Sequence, residues 1–119
     1  DEIKQWDIQY GASFGPVLIA NGEVALPESN VGGLNPRTAI GQRADGAVIF
    51  VCIDGRQASS VGGTYADIIN IMLQYGAVNA CNLDGGYSAI MYLNGERVSD
   101  ILDLDQSRSM PSAFLIRGG

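Results

Sequence analysis

The chain has 119 residues, 46% hydrophobic and 17% charged, a composition typical of one globular domain with its own core. Its net charge of −6 disfavours nucleic acid and anionic membranes as partners, and the absence of histidine excludes Ser-His nucleophiles and histidine bases. No apolar run is long enough to span a bilayer, so we expect no membrane insertion. Cys52 and Cys81 lie in predicted strands; we interpret them as buried free thiols, with a disulfide as the alternative.

The N-terminal part carries weak signals and one clear turn. Residues 6–10 alternate as on a half-buried strand. Asn21-Gly22 separates the apolar run Pro16–Ala20 from Glu23–Leu26 and predicts a two-residue hairpin turn. Pro27–Pro36 is rich in turn residues, so we expect a surface loop there.

A second hairpin is predicted in the middle of the chain. Arg37–Arg43 has the pattern of a strand, and the turn Ala44–Gly46 leads into the uninterrupted apolar run Ala47–Ile53. Because this run shows no alternation, it predicts a central strand that is covered on both faces. The small residues of Ala58–Gly63 predict a loop.

The one convincing helix follows. Thr64 and Asp67 have the spacing of a capping box, residues 68–75 carry an apolar stripe, and Gly76 is placed to end the helix. The next apolar run, Ala77–Leu83, predicts a strand. Strand, helix and strand form a βαβ crossover with parallel strands. The expected fold is therefore α/β, more strictly an α+β mixed sheet, with one crossover and several hairpins.

The rest of the chain predicts short elements. We expect a strand over Ser88–Leu93, a turn at Asn94-Gly95, a returning strand over Glu96–Ser99, an acidic loop over Ile101–Arg108 and a last strand over Ser112–Arg117.

Both strands of the predicted crossover end in an aspartate followed by glycine, at Asp54 and Asp84. Parallel strands put their carboxyl ends at one edge of a sheet, where ligands bind in open α/β folds. The two carboxylates would therefore face one crevice. For each aspartate taken alone, a turn or capping role is the common alternative, and an arginine nearby would then be its salt-bridge partner.

The order of the motifs resembles the phosphodiester glycosidase family. The segments that carry the resemblance are Gly15–Gly22, Arg37–Gly41, Asp54-Gly55-Arg56, Asn79–Ser88 and Arg108–Ala113. The family includes the enzyme that removes N-acetylglucosamine from a phosphodiester to uncover mannose 6-phosphate, and many bacterial envelope and exopolysaccharide-associated proteins. Its domains usually begin with an earlier strand that carries an Asn-Gly-Gly-Phe-like motif. No such motif precedes Gly15, so we expect residues 1–119 to be one domain, equivalent to the C-terminal part of the family's domain or a naturally short version.

The resemblance implies hydrolysis of a sugar-1-phosphodiester by a carboxylate pair, for which Asp54 and Asp84 are the candidate catalytic residues. Guanidinium groups suit a phosphate, and paired glycines allow close main-chain approach to a ligand. The candidate substrate-binding residues are Arg37, Thr38, Arg56, Asn82, Gly85, Gly86 and Ser88. No cofactor is required by this interpretation.

Two other functions fit the same residues. One is a carbohydrate- or anion-binding module without catalysis, and the other is a phosphoesterase with Ca²⁺ or Mg²⁺ between Asp54 and Asp84. The resemblance implies a glycan or sugar-phosphodiester partner and an extracellular or cell-envelope location. We also expect self-association if an edge strand is exposed.

Overall fold

The computed structural model describes residues 2–27, 32–100 and 109–118. This part of the chain contains helix α1 (Glu2–Gln5), helix α2 (Tyr65–Gln74) and a 3₁₀ turn over Gly86–Ser88. Its strands are β1 (Val17–Ala20), β2 (Glu23–Val24), β3 (Arg37–Arg43), β4 (Val48–Ile53), β5 (Ala77–Asn82), β6 (Tyr92–Leu93) and β7 (Glu96–Arg97).

Five strands form the main sheet in the order β2-β1-β5-β3-β4, and every neighbouring pair in it is antiparallel. Because β4 and β5 are both antiparallel to β3, they run in the same direction, as the crossover through α2 predicted. They are not hydrogen-bonded to each other, since β3 lies between them. The α+β fold class is thus confirmed, with β6 and β7 as a separate small hairpin.

The prediction that Ala47–Ile53 is a central strand is wrong, because β4 is an edge strand. Its uninterrupted apolar character has a different origin. Ile49, Val51 and Ile53 pack against the core on one face, while Phe50 on the other face lies 6.0 Å from Phe114, ring centre to ring centre. Apolar residues on both faces therefore do not require a neighbouring strand on both sides.

Helix α2 covers one face of the sheet and begins with the predicted capping box. The Thr64 hydroxyl accepts a hydrogen bond from the Asp67 main chain, and the Asp67 carboxylate accepts one from the Thr64 main chain. The apolar stripe forms the core only in part, since Tyr75 follows the last helical turn and is 61% exposed. The buried core residues are Leu18, Ile19, Ala39, Ile68, Ile69, Met72, Ala77 and Ala80.

Local turn chemistry predicted the hairpins well. Asn21 and Gly22 both have positive φ angles, 51° and 81°, and Asn94 and Gly95 have 52° and 81°. Positive φ at both central positions is the conformation of the type I′ turn that Asn-Gly favours. The turn between β3 and β4 also lies where it was predicted, over residues 44–46.

Three strand predictions are wrong. Residues 6–10 form no strand and Tyr10 is 92% exposed, the hairpin predicted over Ser88–Ser99 is shortened to β6 and β7, and residues 112–117 lie outside any strand. Apolar residues predicted strands over 6–10 and 112–117, but neither segment has a neighbouring strand within the described part of the chain with which to pair. The acidic loop predicted over 101–108 and residues 28–31 of the loop predicted over Pro27–Pro36 fall outside the described residues.

The remaining predictions concern the thiols and the membrane. Cys52 and Cys81 are free thiols, each half-buried. Within the residues described, no helix combines the length and apolarity that a membrane crossing needs.

Candidate functional site

The carboxyl ends of β4 and β5 lie at one edge of the sheet, on either side of the start of β3. Arg37 is paired with Ile53 of β4, and two residues later Ala39 is paired with Asn82 of β5. Asp54 directly follows β4 and Asp84 follows β5 after Leu83, and both are half-buried. The structure therefore places both aspartates at the same edge of the sheet and leaves both partly exposed to solvent.

The segment that carries Asp84 is fixed to the start of β3 by two hydrogen bonds. The main-chain N–H of Leu83 donates to the Thr38 carbonyl (2.8 Å), and the Thr38 hydroxyl donates to the Asp84 carbonyl (2.6 Å). Thr38 thus acts on the main chain of Asp84. Its predicted contact with a substrate stays a prediction.

Asp54 is held from the other side, by the segment that follows the β6–β7 hairpin. Its carboxylate accepts a hydrogen bond from the main-chain N–H of Asp100 (3.1 Å). Its carbonyl accepts the hydroxyl of Ser60 (2.6 Å), and the hydroxyl of Ser59 donates to the Asp100 carboxylate (3.4 Å). The carboxylate is therefore oriented before any ligand binds.

Glycines line the main chain of Asn35 and Pro36, and we call Gly55, Gly62 and Gly85 the glycine cradle. A β-carbon on Gly62 would lie 2.6 Å from Asn35, one on Gly55 would lie 2.8 Å from the Pro36 nitrogen, and one on Gly85 would lie 2.5 Å from the Pro36 carbonyl oxygen. Such distances leave no room for a side chain. The cradle lets three loops meet at the edge between Asp54 and Asp84.

Arg56 is the most available cation of this edge. It has a positive φ of 57°, its guanidinium donates to the Asn35 side-chain oxygen (2.8 Å), and the guanidinium carbon lies 5.2 Å from the centre of the Tyr87 ring. A β-carbon on Gly86 would lie 3.7 Å from one of its terminal nitrogens. The side chain is exposed and forms no ion pair within the described ranges, so it keeps donors for an anion.

Arg37 differs from Arg56 in its surroundings. It is 8% exposed, donates to the carbonyls of Gly63 (3.0 Å) and Gly33 (2.7 Å), and lies 4.1 Å from the centre of the Tyr65 ring. These contacts tie the loop before β3 to the start of α2. The fold gives Arg37 a structural role, and its contact with a phosphate stays a prediction.

Asn82 and Ser88 are both buried, at 3% and 7% exposure. The Asn82 amide donates to the carbonyls of Gly15 (3.1 Å) and Leu83 (2.9 Å), and its side-chain oxygen has no hydrogen-bond partner in the described part of the chain. Through the first of these bonds, Asn82 connects the end of β5 to the segment before β1. The predicted contacts of Asn82 and Ser88 with a sugar stay predictions.

The pKa of the Cys52 thiol depends on the charges near Asp54. Burial raises the pKa of its thiol to about 11, and the Asp54 carboxylate adds to the increase, while the Arg97 guanidinium opposes it. Arg97 also donates to the carbonyls of Ser99 (3.2 Å) and Asp100 (3.2 Å). It is a cation of this edge that sequence reasoning missed, because nothing in the hairpin sequence indicates where the hairpin docks.

Asn35 and Tyr87 were also missed as neighbours of Arg56. Asn35 lies in the stretch Pro27–Pro36, which predicted only a loop, and no functional role was predicted for Tyr87 within the motif segment Asn79–Ser88. Among the described residues, no group of three or more Asp, Glu or Cys side chains is arranged to hold a metal ion.

Comparison with known proteins identifies the family of this chain. Residues 1–117 match the phosphodiester glycosidase family. The SPbeta prophage-derived protein YomE of Bacillus subtilis is 41% identical over 69 residues, which are 58% of this chain and 11% of that protein.

Two solved structures resemble the fold as well. The catalytic domain of zebrafish N-acetylglucosamine-1-phosphodiester alpha-N-acetylglucosaminidase has a TM-score of 0.61 and 29% identity, covering 70% of this chain and 32% of that one. A Burkholderia pseudomallei protein, whose name describes an exported protein, has a TM-score of 0.58 and 42% identity. The match covers 63% of this chain and 14% of that one. The chain thus spans only a minor part of each of these relatives.

The family match and the fold shared with these structures identify a glycosidase-like domain. The chain belongs to the phosphodiester glycosidase family.

Proposed function

We propose that this domain hydrolyses a sugar-1-phosphodiester of the N-acetylglucosamine type. The observation that carries the proposal is the position of Asp54 and Asp84, half-buried at one edge of the sheet on either side of the start of β3. Family membership and the name of the zebrafish relative support the same chemistry.

In this proposal, Arg56 binds the phosphate. A guanidinium group can donate two parallel hydrogen bonds to a phosphate, and Arg56 has no carboxylate competitor among the described residues. Asn35 and the Tyr87 ring hold the guanidinium in place from two directions. They act as positioning residues.

The two aspartates act on the anomeric carbon, where the phosphate is the leaving group. Neighbouring strands are about 4.8 Å apart, and one strand lies between β4 and β5, so their main chains are about 10 Å apart. Retaining glycosidases hold their carboxyl groups only about 5 Å apart, whereas inverting ones leave room for a water molecule. Because the distance between the carboxyl groups, and not between the main chains, decides the outcome, the anomer of the released sugar tests which of the two mechanisms operates.

A location outside the cytoplasm, with a substrate in the cell envelope or in an exopolysaccharide, fits this function. The name of the Burkholderia relative, which describes an exported protein, supports this location.

The test uses the purified chain and a p-nitrophenyl or nucleotide-linked phosphodiester of N-acetylglucosamine. Release of the sugar should be lost in Asp54→Asn and in Asp84→Asn and retained in Asp45→Asn, whose carboxylate lies in the turn at the other end of the sheet and pairs with Arg43 (2.7 Å). Circular dichroism of each variant checks that the fold is retained.

Three other results would overturn the proposal. Binding of the substrate by calorimetry without any turnover would indicate a binding module. Loss of turnover with EDTA and its return with Ca²⁺ or Mg²⁺ would indicate a metal-dependent phosphoesterase. Full activity in both carboxylate variants would remove these residues from the reaction.

A further inference from the structure

The outer edge of β4 is a row of main-chain groups without partners among the described residues. The Arg43 main-chain N–H donates to the Ala47 carbonyl, so residues 43 and 47 form a hydrogen-bonded pair. In an antiparallel ladder such pairs recur at every second residue. The main chains of Ile49, Val51 and Ile53 therefore face β3, and those of the residues between them face away from it.

The outward-facing residues are Val48, Phe50 and Cys52. Their main-chain N–H and C=O groups form no hydrogen bond with any other part of the described chain. The strand's sequence, Val-Ile-Phe-Val-Cys-Ile, contains no charge and no proline. Natural edge strands usually carry lysine, proline or a bulge that prevents pairing with another chain, and β4 has none of these features.

We propose that β4 pairs with β4 of a second copy of this chain, joining two sheets into one. The occupant of the edge must be a β-strand, because only a strand presents N–H and C=O groups at the matching spacing. The edge is complementary to itself. In an antiparallel pairing centred on Phe50, Val48 lies opposite the partner's Cys52, and each residue pair exchanges two main-chain hydrogen bonds.

The side chains favour the same register. Phe50 lies opposite the partner's Phe50 on one face of the joined sheet, where aromatic cross-strand pairs are stabilising. Phe114 already lies against Phe50, and beside it Leu115 and Ile116 are both 80% exposed. Pairing would bring the apolar residues of both copies together on that face. The two-fold symmetry closes the assembly at a dimer.

The opposite edge of the sheet provides a matched control. Ala25 donates from its main chain to the Leu18 carbonyl, so the N–H of Val24 in β2 faces away from β1. Val24 is 49% exposed and Val48 is 54% exposed. Val24→Pro and Val48→Pro therefore each remove one outward N–H at a similarly exposed position. β2, however, is only two residues long.

The test measures the mass of the chain in solution by light scattering and sedimentation at increasing concentration. We expect a monomer–dimer equilibrium for the unmodified chain and for Val24→Pro, and a monomer at every concentration for Val48→Pro. Val48→Lys, which keeps the N–H and adds a gatekeeper charge, should also weaken the dimer. Hydrogen exchange at Val48, Phe50 and Cys52 should slow as the concentration rises, which tests the pairing without any substitution.

Four results would overturn the proposed pairing of β4 with a second copy. A chain that stays monomeric at high concentration, or a dimer that persists in both Val48 variants, overturns the proposal. So does a loss of the dimer in Val24→Pro alone, because it would place the contact at the β2 edge. Concentration-dependent protection that is confined to other strands would also contradict it.

Discussion

Gly85 lies against Pro36 so closely that a β-carbon on Gly85 would stand 2.5 Å from the Pro36 carbonyl oxygen. The φ of Gly85 is −108°, which any residue adopts, so steric contact alone requires glycine here. The same Pro36 carbonyl accepts the main-chain N–H of Gly86 (2.9 Å). The turn after Asp84 is thus fitted to the start of β3 at van der Waals distance.

Gly85→Ala should therefore displace the turn that carries Asp84. The carbonyl is part of the main chain and cannot move aside, so we expect a loss of about 1 to 3 kcal/mol in the free energy of unfolding, as in other overpacked sites. Urea denaturation measures it. Gly11→Ala is the control, because nothing lies within 4 Å of a β-carbon there. Equal stability of the two variants would contradict the contact.

Arg56→Lys should weaken substrate binding more than turnover. Lysine keeps the charge but loses the planar pair of donors that bridges Asn35 and a phosphate oxygen, so KM should rise by about tenfold with a smaller change in kcat. Steady-state kinetics on the phosphodiester measure both constants. The control is Arg43→Lys, whose partner Asp45 lies at the far end of the sheet. An unchanged KM in Arg56→Lys would remove Arg56 from the phosphate site.

The reactivity of Cys52 should report the charge of Asp54. Because that carboxylate raises the pKa of the thiol and Arg97 lowers it, Asp54→Asn should speed alkylation of Cys52 and Arg97→Gln should slow it. The measurement is the pH dependence of iodoacetamide labelling in a Cys81→Ser background. Asp45→Asn serves as control and should leave the rate unchanged. Shifts in the same direction for both charge variants would disagree with the arrangement.

The capping box of α2 should make stability depend on pH in the acid range. Hydrogen bonds from the Thr64 main chain and then from its hydroxyl lower the pKa of Asp67 below its ordinary value of 3.8. Its contribution is therefore complete above that value and is lost as the pH falls through the lower pKa of the folded chain.

Asp67→Asn removes this charge, so the variant should be less stable than the unmodified chain at neutral pH, by about 0.5 to 1 kcal/mol. Thermal unfolding measured from neutral pH downwards should show the difference shrinking below pH 3.8. Glu23→Gln, in the exposed strand β2, is the control. A difference that does not change with pH would mean that the carboxylate charge has no role in the cap.

The sequence predicted correctly those elements that depend on residues close together in the chain. Asn21-Gly22 and Asn94-Gly95 require positive φ and formed the expected turns, and Thr64 with Asp67 formed the expected cap. The parallel direction of β4 and β5 followed from the length of the connection. The position of β3 between them did not, because it depends on which strands pair over long distances in the sequence.

Arg37 and Arg56 show the same limit of sequence-based prediction within the candidate site. Sequence reasoning treated Arg37 and Arg56 alike, since both are cations near motif glycines. Burial against Tyr65 and two carbonyl partners separate Arg37 from the exposed Arg56. The Gly33 carbonyl is near in sequence, but Gly63 and Tyr65 are distant. No local pattern distinguishes the two roles.

The hydrogen bond from Leu83 to Thr38 links the spacing of the two acidic residues to the integrity of β3. This strand is the only spacer between β4 and β5 in the described sheet, so fraying at its first residues would let the aspartates drift apart while the rest of the molecule stayed folded. The hydrogen-exchange rate of the Leu83 amide therefore reports how readily this contact opens and the two aspartates separate.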